Sequence, residues 1–369
     1  MKLGLLGGGQ LGRMLIQDAL KYDDQWFTLD PSKEAPCHAI SDFTLGDFND
    51  YQTVLDFGQG KEVVSIEIEH VNVEALFALE KQGIKVIPRP HIIQLIQQKI
   101  LQKEFYKAHG IPSPEFQVIK GREQIHIPFP FVQKLNTGGY DGKGVQVLRN
   151  EKDLELLWDE PSIIEPLVSI DKELSIIVAK NERGEIRTFP VTEMLADPEL
   201  NLLDFNICPS AISPEVEAQI EAIAKAFMEA ANSEGLFAIE LFLDTQGKVW
   251  VNETAPRLHN SGHQTQEGNF NSQFEQMYRV LKNLPLAETR ARGYSGMLNL
   301  VGEKGFSGPV VYKGLEEVLK RPNVYVHLYG KTDTKPGRKM GHINVVSDSR
   351  EALIKELLEI KTQIKVQAK

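Results

Sequence analysis

Apolar, strand-like runs alternate with helix-length amphipathic stretches through the first hundred residues. Strand character falls at 2–6, 26–30, 63–66 and 85–87, and helical periodicity at 10–20, 72–82 and 91–108. This rhythm dictates a parallel sheet with helices on its faces, because neighbouring strands of the same direction need a crossover between them. Ile111-Pro112-Ser113-Pro114 then stops the helical pattern, since each proline disfavours helical geometry in the residue before it, and a new module starts here. A chain of 369 residues exceeds one ordinary domain, so two or three are expected.

Beyond the break, 131–134 and 145–148 read as two strands around Thr137-Gly138-Gly139-Tyr140-Asp141-Gly142-Lys143-Gly144. A P-loop would run from a strand into a helix and carry Gly-Lys-Ser/Thr; this loop returns into a strand, and its nearest physical analogue is a flap over phosphates. Further strands are expected at 163–165, 173–178 and 186–191, a long helix at 215–233 and a hairpin over 236–253. Strands near 297–300, 324–328 and 343–346 and a helix from Ser349 complete the pattern.

The densest chemistry is Asn252-Glu253-Thr254-Ala255-Pro256-Arg257-Leu258-His259-Asn260-Ser261-Gly262-His263, which begins where the strand of the hairpin stops. Glu240 interrupts the apolar run Phe237-Ala238-Ile239-Glu240-Leu241-Phe242-Leu243, where a charge needs a partner. If 244–247 forms the turn, Leu243 pairs with Lys248, Glu240 faces Val251, and Glu253 lies diagonally on the same face, roughly 7–8 Å away. Two carboxylates so placed suit one or two hard cations, magnesium first and manganese as the alternative. The alternative puts Glu240 on a solvated face and Glu253 at the cap of a turn, and a one-residue change of register would separate the two.

Lys134 and Glu165, the latter followed by Pro166-Leu167-Val168, together suggest a nucleotide pocket, although Lys134 taken alone reads more readily as an ordinary surface lysine. Lys331, Lys335, Arg338 and Lys339 gather in a Pro- and Gly-containing turn that suits a phosphate; a solvated basic loop is the alternative. Gly7-Gly8-Gly9-Gln10-Leu11-Gly12 with Asp30 satisfies a dinucleotide-binding fingerprint and keeps a nicotinamide-dependent oxidoreductase in contention. His259 and His263 are four apart, but the intervening Asn-Ser-Gly argues against a helical zinc pair.

Lys and Arg number 41 against 51 Asp and Glu, a formal charge of −10 that disfavours a general nucleic-acid or anionic-membrane surface. No apolar run approaches the length of a membrane span, and two cysteines, Cys37 and Cys208, give no disulfide framework, so a soluble protein of the reducing cytoplasm is expected.

Together these residues resemble the ATP-grasp superfamily, and within it the 5-(carboxyamino)imidazole ribonucleotide synthase family. The likeness rests on Gly8-Gly9-Gln10-Leu11-Gly12-Arg13-Met14, Glu67-Ile68-Glu69-His70-Val71, the glycine loop, the run from Asn252 to His263, and Lys335-Pro336-Gly337-Arg338-Lys339-Met340-Gly341-His342. The resemblance implies an α/β chain, α+β in its central part. It would have a Rossmann-like parallel-sheet domain at 1–98, a flap-bearing lid at 99–180, and a mixed-sheet catalytic domain at 181–369 with a small subdomain from about 295. It implies ATP- and bicarbonate-dependent carboxylation of 5-aminoimidazole ribonucleotide through carboxyphosphate, in a homodimer.

By resemblance, Lys99, Lys134, Gly139, Tyr140, Asp141, Gly142, Lys143, Gly144, Val145, Glu165, Pro166, Leu167, Val168, Glu173, Asn252 and Glu253 serve ATP, with magnesium on Glu240 and Glu253. Tyr140, Asp141, Lys143, Arg257, His259 and Asn260 serve the chemistry, and Gln10, Leu11, Glu67, Lys331, Arg338 and Lys339 the ribonucleotide. Two stretches depart from the family pattern: Gln98-Lys99 stands where relatives commonly have Asp-Arg, and Glu193-Met194-Leu195-Ala196-Asp197 where many carry Asn and His. A formate-dependent glycinamide ribonucleotide transformylase is the alternative within the superfamily; its flap is serine-rich, whereas Gly139-Tyr140-Asp141 favours the carboxylating family.

Overall fold

The computed structural model describes residues 1–120, 125–138, 144–196 and 203–369. The N-terminal sheet is parallel throughout, with strand order β3-β2-β1-β4-β5 built from β1 (Lys2–Leu6), β2 (Gln25–Asp30), β3 (Asp42–Leu45), β4 (Val63–Ile66) and β5 (Lys85–Ile87). Helices α1 (Gln10–Ala19), α2 (Tyr51–Gly58) and α3 (Val73–Lys81) make the crossovers, and the Asp50 and Asn72 side chains cap α2 and α3 by accepting backbone N–H groups. The helix expected at 91–108 is two helices, α4 (Pro90–Ile96) and α5 (Lys99–Ala108). Tertiary bonds hold the break: Gln97 Nε2 donates to the carbonyls of Glu69 and Val71, and the Lys99 N–H donates to Asn136 O.

A four-stranded antiparallel sheet follows, ordered β6-β9-β7-β8, from β6 (Gln117–Ile119), β7 (Phe131–Leu135), β8 (Val145–Leu148) and β9 (Ser162–Pro166). The expected strand-loop-strand around the glycines is therefore present as the pair β7 and β8. The chain then enters a larger sheet through β10 (Ile170–Lys180), so sheet membership changes between residues 166 and 170, ahead of the division expected at 180.

That sheet has nine strands. Beside β10 it holds β11 (Ile186–Thr188), β12 (Thr192–Ala196), β13 (Leu203–Cys208), β14 (Gly235–Asp244), β15 (Val249–Ala255) and β16 (Tyr294–Val301). The single strand expected at 186–191 is two, β11 and β12. Helix α6 (Pro214–Ala231) starts on a Ser213 cap and lies on one face; the short α7 (Thr265–Gly268) and α8 (Gln273–Leu281) lie on the other. The C-terminal part adds β17 (Gly308–Lys313), α9 (Leu315–Leu319), β18 (Val324–Leu328), β19 (Asp333–Thr334), β20 (Lys339–Ser347), α10 (Arg350–Gln363) and β21 (Lys365–Ala368). Strands β20 and β18 extend the large sheet, while β19, β17 and β21 form a separate small one.

Side-chain alternation on β10 explains where the site lies. Leu174, Ile176 and Val178 pack under α6, with Phe237, Ile239 and Leu241 of β14 beside them. Ile177 and Ala179 point the other way, into a core shared with Leu11, Met14 and Leu15 of α1 and Phe274, Met277 and Tyr278 of α8. Glu173 and Ser175 continue that second face beyond the apolar patch, so it turns from core into a polar cleft along one strand.

Candidate active site

The cleft is organised by a bulge in the β14–β15 hairpin. Asp244 N–H donates to Lys248 O at 2.9 Å, which makes 245–247 a three-residue loop closed by Gly247 at φ +82°. Leu243 therefore faces Val249, one residue off the expected pairing, and an unbroken ladder would set Glu240 against Asn252 and turn Glu253 to the opposite face. The register shifts between Glu240 and Leu241, and beyond the shift Glu240 sits directly opposite Glu253 rather than diagonal to it. An extra residue leaves Asn252 and Glu253 both partly exposed on the cleft side, while Val251 and Thr254 are buried behind.

Glu240, 24% exposed, shares its row with Ser175 across the ladder, and Glu173 stands one step along the same face. Burial and the neighbouring carboxylates of Glu253 and Glu173 push Glu240 up to about 8, whereas the Lys99 ammonium, 2.6 Å from Glu253 Oε2, draws Glu253 down to about 2. Two facing carboxylates that cannot both ionise in isolation, with a lysine already compensating one of them, are a donor set that a hard divalent cation fits. Among the described residues no group of three or more His, Cys, Asp or Glu side chains forms a metal cage, so remaining ligands would come from phosphate and water.

Lys134 of β7 donates to Asn252 Oδ1 at 2.8 Å and pairs with Glu165 Oε2 of β9 at 2.7 Å. Lys103 of α5, which sequence reasoning missed, pairs with the other Glu165 oxygen and donates to Ser113 Oγ of the proline linker at 2.6 Å. Both Lys103 and Glu165 are 3% exposed. Burial works against the Glu165 charge, but the ammonium groups of Lys134 and Lys103 outweigh it and hold the carboxyl low; burial lowers Lys103 itself to about 8. The signal for Lys103 was its place among Gln102 and Tyr106 on the buried stripe of α5, which composition alone could not distinguish from a solvated face. Pro166, Leu167 and Val168 lie at the outer end of β9, the first exposed and the others half-buried.

Arg257 Nη2 pairs with Glu69 Oε1 at 2.7 Å, and His259 Nε2 lies 3.4 Å from Glu240 Oε1. Asn260 turns its side-chain amide into buried space, where neither Nδ2 nor Oδ1 meets a hydrogen-bond partner among the described residues. Such a group is costly unless a ligand completes it.

At the rim of the first sheet, the Gly8 N–H donates to Asp30 Oδ2 at 2.8 Å and the Leu11 N–H to Glu67 Oε1 at 3.1 Å. Gly7, at φ +97°, leaves room for that carboxylate, since a Cβ there would stand 2.8 Å from Glu67 Oε2. The amides at the start of α1 are thus bonded to the chain's own acids. A dinucleotide pyrophosphate would have to displace both, which counts against the oxidoreductase alternative. The Leu11 side chain is buried in the core, so its contribution at this rim is its backbone N–H. Gln10 Oε1 accepts from Lys331 Nζ at 3.1 Å; Lys331 also donates to Lys339 O, and Arg338 to Asp333 O.

Gly139, Tyr140, Asp141, Gly142 and Lys143 lie outside the described residues; Gly144 and Val145 lead into β8. His263 is buried and stacked on His342 with ring centroids 4.5 Å apart, an aromatic packing role rather than a zinc pair with His259.

Three family models match successive parts of the chain: the ribonucleotide synthetase preATP-grasp domain over 1–97, the ATP-grasp domain over 104–274, and the phosphoribosylaminoimidazole carboxylase C-terminal domain over 295–356. The N5-carboxyaminoimidazole ribonucleotide synthase of Aquifex aeolicus is 34% identical, covering 99% of this chain and 97% of its own length. The phosphoribosylaminoimidazole carboxylase of Ogataea methanolica is 34% identical over 94% of this chain, which spans 66% of that longer protein. The crystal structure of N5-carboxyaminoimidazole ribonucleotide synthetase from Thermotoga maritima superimposes with a TM-score of 0.93 at 39% identity, covering 100% of this chain and 99% of that one. That of the Aspergillus clavatus synthase in complex with ADP and 5-aminoimidazole ribonucleotide gives 0.87 at 30% identity, covering 97% and 98%. With matches of this extent, the chain belongs to the N5-carboxyaminoimidazole ribonucleotide synthase family of ATP-grasp enzymes.

Proposed function

We propose that this chain uses ATP and bicarbonate to carboxylate the amine of 5-aminoimidazole ribonucleotide, giving N5-carboxyaminoimidazole ribonucleotide for purine biosynthesis. The observation that carries the reading is the direct opposition of Glu240 and Glu253; Lys331, bonded to Gln10 and within electrostatic reach of Glu67, Arg338 and Lys339, supplies a second, cationic cluster. As proposed, the first is the metal-triphosphate end and the second the monophosphate end, with Arg257, His259 and Asn260 serving the reaction between them.

In this reading Lys99, Lys134 and Glu165 to Val168 line the nucleotide side with Glu173 and Asn252, and family resemblance assigns Gly139 to Val145 to the same ATP site. Glu240 and Glu253 would hold magnesium, which when bound neutralises the triphosphate and supports phosphoryl transfer. A bicarbonate oxygen attacks the γ-phosphorus, the bond to ADP breaks, and carboxyphosphate forms. Loss of phosphate gives carbon dioxide, which the ribonucleotide amine attacks with release of a proton. Arg257 offsets the negative charge of the intermediate and the Asn260 amide supplies a donor and an acceptor, while Tyr140, Asp141 and Lys143 are assigned to the chemistry by family resemblance alone. Gln10, the Leu11 N–H and Glu67 address the ribose, and Lys331, Arg338 and Lys339 the 5′-phosphate.

The reading carries a homodimer, on family resemblance, and a reducing cytoplasm, which the two buried unpaired cysteines suit. ADP release is the test. It should rise with 5-aminoimidazole ribonucleotide plus bicarbonate and stay basal with glycinamide ribonucleotide plus formate; stimulation by the second pair alone overturns the assignment.

A further inference from the structure

We propose that Ser175 and Ser261 form a hydroxyl relay that, together with the Ser261 backbone N–H, holds His259 in the tautomer with its proton on Nε2, beside Glu240. His259 precedes the single turn Asn260–Gly262, and its Nδ1 accepts the Ser261 backbone N–H at 3.3 Å. A backbone N–H can only donate, so Nδ1 carries no proton and, in a neutral ring, Nε2 does. That choice fixes every other hydrogen. Ser261 Oγ, 2.8 Å from the same Nδ1, must also donate to it, and its lone pairs are left to accept from Ser175 Oγ, again 2.8 Å away. The relay runs Ser175 O–H to Ser261 Oγ and Ser261 O–H to His259 Nδ1, which leaves the proton on Nε2, 3.4 Å from Glu240 Oε1.

Both serines are 1% exposed, so water does not compete for their hydroxyls. Ser175 is also the cross-strand partner of Glu240, and the relay therefore leaves and rejoins the same row of the large sheet. The turn itself is clamped. Asn206 Nδ2 donates to Ser261 O at 3.0 Å, and one side chain, Gln273, holds both backbone groups of His259, accepting from its N–H at 3.0 Å and donating to its carbonyl at 2.7 Å. Gly262 packs flat on β10, where a Cβ would collide with Ile177. An imidazole so held offers a fixed N–H donor to a phosphoryl or carboxylate oxygen without a reorganisation step. Ser175 and Ser261 are positioning residues, and only the kinetic part of their test rests on the reaction proposed above.

The test uses the full chain labelled with 15N-histidine, the His259 signals being assigned by their loss in His259→Gln. The wild-type protein should show His259 protonated at Nε2 alone. Ser261→Ala leaves Nδ1 the longer 3.3 Å backbone bond, and Ser175→Ala frees the Ser261 hydroxyl to turn its hydrogen away from the ring. Each should bring in a share of the Nδ1-protonated form and lower kcat for substrate-stimulated ADP release about 10- to 100-fold, with KM for ATP within about two-fold. Ser175→Thr, which keeps a hydroxyl on a strand-compatible side chain, should restore both readouts. Melting curves confirm that each variant folds, and if Ser175→Ala does not, Ser261→Ala and Ser175→Thr decide. A wild-type His259 protonated at Nδ1, or an unchanged ring signal in Ser261→Ala, overturns the relay. The expected ring signals without any ADP release from this substrate pair would instead remove the proposed reaction and leave the relay standing.

Discussion

Burial lowers the Lys331 ammonium to about 8, with Arg338 adding to the effect and Glu67 opposing it. The group is charged below that pH and neutral above it, so if Lys331 meets the 5′-phosphate as proposed, its contribution to binding should be present at pH 7 and lost as pH rises through about 8. kcat/KM for the ribonucleotide, which reports the free enzyme, should fall above pH 8, and Lys331→Arg should flatten that limb because a guanidinium stays charged. A falling limb that persists unchanged in Lys331→Arg assigns it to another group. At the same scale Glu253→Ala and Arg338→Ala separate the two ends of the cleft. The first should abolish ADP production; the second should raise KM for the ribonucleotide by an order of magnitude or so while leaving KM for ATP alone, since a lost charged contact is worth roughly 1.5–3 kcal/mol. Equal loss of ATP affinity in both variants would refute the division.

Between residue and fold, the hairpin of β14 and β15 shows what a sequence reveals and what it conceals. Glu240 is legible because a carboxylate in a run of Phe, Ile and Leu must be compensated by a partner outside that run, and Glu253 because it stands near the end of the neighbouring strand. The pairing between them is concealed: a turn one residue away from the expected one is compensated by a bulge at Asn252, and neither leaves a mark in hydrophobic alternation. β3 escapes for a related reason, since as an edge strand with Asp42, Thr44 and Leu45 exposed it shows no buried face to alternate. The break between α4 and α5 is fixed by Glu69, Val71 and Asn136, all distant in sequence. Lys103 likewise acquires its meaning only from Glu165 on β9. Lys103→Met should leave the Glu165 carboxylate half-compensated in a dry site, costing about 3 kcal/mol, and lower the melting temperature by several degrees. Lys103→Met combined with Glu165→Gln should recover part of that loss; a double variant no more stable than Lys103→Met would show that the lysine acts through packing alone.

The ribonucleotide end proposed for the cleft depends on three parts of the molecule being held together: Gln10 at the start of α1 and Glu67 after β4, Arg257 after β15 of the large sheet, and Lys331 in the C-terminal part. The first of these joints is the docking of α1 on α8. Tyr22 stacks on Tyr278 with ring centroids 4.3 Å apart, Tyr22 donates to Glu275, and Ser272 to Asp18. Asp24 collects Tyr278 at 2.5 Å and Lys282 at 2.7 Å. Nucleotide-side groups such as Lys134, Glu240 and Glu253 do not belong to this joint, so loosening it should act selectively. Tyr278→Ala should raise KM for the ribonucleotide severalfold with KM for ATP unchanged. The joint also carries its own pH signature. Burial works against the Asp24 charge, but Lys282 and its other hydrogen-bond donors prevail and hold it at about 2, below its ordinary 3.8. A carboxyl lowered on folding stabilises above its unfolded value and ceases to do so as pH falls through its folded one, so Asp24 supports the joint fully above pH 4 and progressively less from there to about pH 2. The difference in melting temperature between the wild-type protein and Asp24→Asn should accordingly be full at pH 7, unchanged at pH 5, and reduced at pH 3. A difference that is the same at all three values would mean that Asp24 holds α1 to α8 by shape rather than by charge.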